Sequence, residues 1–116
     1  MYTYNCKVYN VVDGDTIDIE LDLGFNIKIK ERVRLLGVDT PEVFGTKAEP
    51  AGLVASDFTK HWIDERSARG SFVYVSIKYD ARDKYGRSLG YLVWRGADGN
   101  SENLNDAIIA SGNIKK

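Results

Sequence analysis

Cysteine is almost missing from this chain: Cys6 stands alone among 116 residues, so no internal disulfide can staple the fold. Cys6 lies in a strand-like run and is expected to be a small, buried, apolar residue. Histidine is as scarce. His61 is the single one, which argues against zinc centres built on several imidazoles and against nucleases that use a histidine nucleophile. No apolar run is long enough to span a membrane, and no charged-then-apolar leader precedes the first strand. A cytoplasmic protein is therefore expected, of phage or plasmid origin among others, with a secreted protein whose leader has been removed as the alternative. Repeats and low-complexity segments are absent. Basic excess is absent too, since the net charge is −1, and this counts against a nucleic-acid binder of the basic-patch type. The objection weakens if the chain holds a divalent cation, because the ion then becomes the largest local charge. The composition, 43% hydrophobic and 28% charged, suits one domain over residues 1–116 with a core of its own.

The most informative stretch is Arg34-Leu35-Leu36-Gly37-Val38-Asp39-Thr40-Pro41-Glu42. It starts as a strand, with Val33 and Leu35 on one side and Arg34 and Leu36 on the other. Pro41 ends it, because proline has no N–H for a ladder and holds its predecessor extended. Alternation puts Asp39 in the apolar row of Val33 and Leu35, where a carboxylate needs a partner or a cation. A solvated strand end explains the same run without chemistry. A second run, Val11-Val12-Asp13-Gly14-Asp15-Thr16-Ile17, aligns Asp15 with Ile17, Ile19 and Leu21. A tight Asp-Gly turn accounts for Asp13 and Gly14 but not for Asp15. A third run, Asp83-Lys84-Tyr85-Gly86-Arg87, reads as a turn carrying two basic groups and a ring, or as an ordinary hairpin loop.

Together these runs resemble the staphylococcal nuclease (thermonuclease) family. VVDGDT at 11–16, RLLGVDTPE at 34–42 and DKYGR at 83–87 occur in the family's order and at nearly its spacing, and Asn103-Leu104-Asn105-Asp106-Ala107 is similar to the family's helix start. The resemblance implies a mainly β (α+β) fold: a five-stranded OB-type Greek-key barrel, with one helix between strands 3 and 4 and a short C-terminal helix. Pattern alone leaves that barrel as one candidate among several. It predicts strands over residues 2–12, 16–23, 26–38, 71–79 and 87–94. It also predicts a helix from Pro50 to about Arg66, with Ala51, Val54, Ala55, Phe58 and Trp62 on one face, and a short helix capped by Asn103 and closed by Gly112. A hairpin centred on Gly24 would set Glu20 opposite Lys28 and Asp18 opposite Lys30, as a solvated face.

Asp15 and Asp39 are hard oxygen donors, suited to Ca²⁺, Mg²⁺ or another hard divalent cation. The resemblance implies Ca²⁺, with the main-chain carbonyl of Thr40 as a further ligand. Arg34 and Arg87 can present planar forks to phosphate oxygens, and they match the family's catalytic arginines. Glu42 matches its catalytic glutamate, the proposed general base, which orients or deprotonates the attacking water. Lys84 and Tyr85 match residues that contact the substrate's terminal phosphate. The implied activity is endonucleolytic hydrolysis of DNA and RNA to 3′-phosphate ends, by a monomer that favours single strands and does not use a membrane. The alternative is a non-catalytic nucleic-acid- or peptide-binding module, since degenerate copies of the domain serve that way; such copies typically lose the acid and arginine set. The restriction-type core of Pro-Asp and Glu-x-Lys has no match. The resembled enzymes continue beyond the equivalent of Lys116 with base-contacting tyrosines and a further helix. A shortened or compact member with some apolar surface uncovered is therefore expected.

Overall fold

A computed structural model describes residues 2–43, 50–77 and 86–114. Its strands are β1 (Tyr2–Asp13), β2 (Thr16–Asp22), β3 (Lys28–Leu35), β4 (Gly70–Ser76), β5 (Ser88–Gly96) and β6 (Ser101–Asn103). The helices are α1 (Pro50–Ser67), between β3 and β4, and α2 (Leu104–Ser111). Strand order is β3-β2-β1-β4-β5-β6, and a parallel pairing of β3 with β5 closes the first five strands into a barrel. β1 serves two neighbours: Tyr2–Cys6 pair with β4, and Cys6–Asp13 pair with β2. Irregularities at Val8/Asn10 and Val11/Asp13 bend β1 so that one long strand can turn this corner. Ile17, Ile19, Leu21, Val33, Leu35, Phe72, Tyr74, Leu92 and Trp94 fill the interior, closed by Trp62 and Ile63 of α1 and by Leu104 and Ile108 of α2. Cys6 is buried among them, and burial pushes its thiol up to about 12, which leaves it inert.

Several expectations change. The short β6, paired with Val93–Arg95, adds a sixth strand outside the closed barrel. The hairpin register is shifted by two: Glu20 faces Lys30, Asp18 faces Arg32 and Asp22 faces Lys28. Gly24, Phe25 and Asn26 all hold positive φ, at 82°, 53° and 63°, which moves the loop centre from Gly24 to Phe25. A two-residue shift preserves the faces, so opposite charges still oppose. Asp18, however, is buried: Arg32 donates to it through Nε at 2.8 Å and Nη2 at 3.2 Å, and Asn10 Nδ2 adds a third bond at 3.0 Å. The Arg32 hydrogen bond holds the Asp18 carboxyl below its ordinary value, against the opposing effect of burial.

The face of α1 also differs. Ala51 and Val54 are exposed, and the buried stripe is Gly52, Ala55, Ser56, Thr59, Trp62 and Ile63. Small and polar residues occupy the end of that stripe because the helix lies there against backbone: Thr59 Oγ1 donates to the Gly14 carbonyl at 2.8 Å. Trp94 Nε1 donates to the Arg66 carbonyl at 2.9 Å and ties the other end of the helix to β5.

Candidate active site

One end of the barrel collects the start of β2, the end of β3 and the approach to β5. β3 stops at Leu35, earlier than expected, because Gly37 adopts a φ of 77° and turns the backbone away just after the Leu36 N–H makes the last bond to β5, to the Gly90 carbonyl at 2.9 Å. Asp39 therefore leaves the apolar row; its side chain is 67% exposed. Residues 38–43 form a strap across the barrel end. The strap is pinned where the Thr40 N–H donates to Asp15 Oδ2 at 3.1 Å and the Val43 N–H donates to Asp13 Oδ1 at 2.9 Å.

Asp15 is 6% exposed, as its place in the row of Ile17 and Ile19 predicts. Its Oδ1 accepts the Thr16 hydroxyl at 2.9 Å, and its Oδ2 lies 3.2 Å from Arg34 Nη2. The same Arg34 nitrogen donates to the Val38 carbonyl at 2.9 Å and to Asp39 Oδ1 at 3.4 Å. Two carboxylates from distant parts of the chain thus meet one guanidinium. Arg87 enters from the β5 side, where its Nη1 donates to Thr16 Oγ1 at 3.4 Å. A continuous polar chain results, from Arg87 through Thr16 and Asp15 to Arg34 and Asp39. Thr16, 1% exposed, has no part in the expected residue set, yet it joins the two arginine arms. Its signal in the sequence is faint: a hydroxyl next to a carboxylate that needs a partner.

Glu42 is half-buried at the end of the strap, two residues past Thr40. Lys84 and Tyr85 lie outside the described residues. Among the described residues, no three side chains of His, Cys, Asp or Glu gather as a metal cage. The donor set nevertheless fits a hard cation. Two carboxylates converge on one positive group, and main-chain, water or substrate oxygens are suitable for the remaining positions of a Ca²⁺ or Mg²⁺ shell.

Residues 32–115 match the family model described as staphylococcal nuclease homologue. The chain is 46% identical over 94 residues to a thermonuclease of Staphylococcus intermedius, covering 77% of this chain and 48% of that protein. It is 38% identical over 102 residues to a thermonuclease of Staphylococcus hyicus, covering 84% of this chain and 53% of that protein. An endonuclease of Bacillus subtilis, YhcR, is 33% identical over 97 residues, covering 78% of this chain and 7% of that protein. The chain spans about half the length of the two thermonucleases.

Proposed function

Because this chain belongs to the staphylococcal nuclease family, we propose that it is a divalent-cation-dependent endonuclease that hydrolyses DNA and RNA to 3′-phosphate ends. The observation that carries this reading is the convergence of Asp15, Asp39 and Arg34, with Arg87 joined to them through Thr16. Asp15, Asp39 and the Thr40 carbonyl would hold Ca²⁺, which when bound supplies Lewis-acid polarisation of a phosphoryl oxygen.

The chain's own groups divide the rest of the work. Arg34 and Arg87 bind phosphate oxygens through guanidinium forks, and their attraction grows as negative charge builds there. Asp15 and Thr16 orient those forks. Glu42 accepts a proton from the attacking water. The water oxygen bonds to phosphorus as the bond from phosphorus to the 5′-oxygen breaks; Arg87 steadies the departing oxygen electrostatically, and that oxygen takes its proton from solvent. Lys84 and Tyr85 contact the terminal phosphate, and single-stranded substrate is favoured because an unpaired backbone can bend into the site. The protein acts as a monomer.

The test is cleavage of denatured DNA with Ca²⁺ and with EDTA, followed by end-group analysis. Cutting with Ca²⁺ alone, leaving 3′-phosphates, is the expected result. Equal cutting in EDTA would remove the metal from the reaction. Binding without cutting under any divalent ion would leave a binding module.

A further inference from the structure

Glu42 lies outside every helix and strand, at an isolated bridge, so contacts from its neighbours add to that bridge in fixing its backbone. One neighbour is Asp13, whose Oδ1 accepts the Val43 N–H at 2.9 Å. The other is the first turn of α1. Gly52 is buried there. A Cβ built on Gly52 would stand 2.6 Å from the Glu42 carbonyl carbon, closer still to its oxygen, and 3.1 Å from the Val43 nitrogen. These are main-chain atoms, so no side-chain rotation can relieve the overlap.

Gly52 does not owe its identity to its own conformation, because it is not among the positive-φ glycines. Helix propensity opposes it as well, alanine being the better helix former. What demands glycine is the closeness of residues 42 and 43 to the helix. We propose that Gly52 and Asp13 are positioning residues that clamp residues 42–43 from two sides and thereby aim the Glu42 carboxylate at the attacking water. The inference rests on Glu42 acting as the base.

The experiment compares kcat and KM on denatured DNA with Ca²⁺ for the full chain and for Gly52→Ala, Glu42→Gln and their combination. Gly52→Ala is expected to lower kcat by about 10- to 100-fold, the scale of a misplacement near 1 Å, with KM changed far less. In the Glu42→Gln background the same change should cost less than about twofold, because the group being aimed is gone. Leu53→Ala, on an exposed neighbour in the same turn, should keep the parent kcat. If Gly52→Ala does not fold, Asp13→Ala releases the strap from its other side and should show the same split and the same non-additivity. Parent-like kcat in Gly52→Ala alongside a collapsed Glu42→Gln would overturn the clamp while sparing the base. Full additivity in the double variant would overturn it too. A parent-like rate in Glu42→Gln would instead remove the base, and the clamp's purpose with it.

Discussion

Arg34 satisfies three acceptors through one nitrogen: the Val38 carbonyl and the carboxylates of Asp15 and Asp39. A lysine keeps the charge but not the planar fork, so Arg34→Lys should lower single-turnover cleavage by about 100-fold, the typical loss for one preorganised transition-state donor. An unchanged circular-dichroism spectrum would show that the fold survives, and near-parent turnover would refute the role. At this scale the sequence was partly legible. Alternation placed Asp15 in a buried row and the structure agrees, because β2 runs unbroken from Thr16 to Asp22. Applied to Asp39, the same rule failed because the strand ends four residues earlier and Gly37 reverses the backbone. Thr16 escaped notice for a different reason. Its partner Arg87 arrives 71 positions later, and no local pattern announces such a meeting.

At the level of elements, both helices were legible from their ends: Pro50 opens α1, while Asn103 caps α2 and Gly112 closes it at a φ of 80°. The buried face of α1 was legible in part: Ala55 and Trp62 are buried and Phe58 packs on the core, but Ala51 and Val54 are exposed because the rest of the face is chosen for closeness to backbone and is small or polar. The clearest such contact belongs to α2. Asn105, 1% exposed, donates to the Leu36 carbonyl at 2.8 Å and to the Gly90 carbonyl at 3.2 Å, and accepts the Leu92 N–H at 3.3 Å. One carboxamide therefore spans the turn after β3 and the strand β5. Asn105→Ala should cost about 3 kcal/mol in urea unfolding, since three hydrogen bonds of about 1 kcal/mol each are lost. A loss below about 1 kcal/mol would mean that water replaces the carboxamide.

For the whole molecule, the count and order of the barrel strands were legible once the resemblance was used, but register depended on a loop whose centre no rule of alternation supplies. That loop has a consequence for acid stability, because it sets Asp18 opposite Arg32. The Asp18 pKa is lowered in the folded state, so the unfolded chain binds more protons as the solution acidifies. The contribution is complete above the ordinary aspartate value of about 4 and fades as pH falls through the lower folded value. Asp18→Asn should therefore flatten the acid limb of a stability–pH curve, measured by urea midpoints from pH 6 down to about 2. An unaltered slope would assign acid sensitivity to other carboxylates. The seam between β3 and β5 has a different consequence. It consists of three register pairs, Val33–Ser88 to Leu35–Gly90, with Arg34 in its middle and Arg87 just before it. Gaping at this seam would part the two guanidinium groups while the long β1–β2 and β4–β5 ladders stayed zipped. In rising urea, turnover should then vanish while far-ultraviolet dichroism is still flat, and the Leu36 amide should exchange its hydrogen before those of β2; coincident curves would rule this out. Competence would be the first thing this barrel forfeits on warming, and the first it regains on cooling.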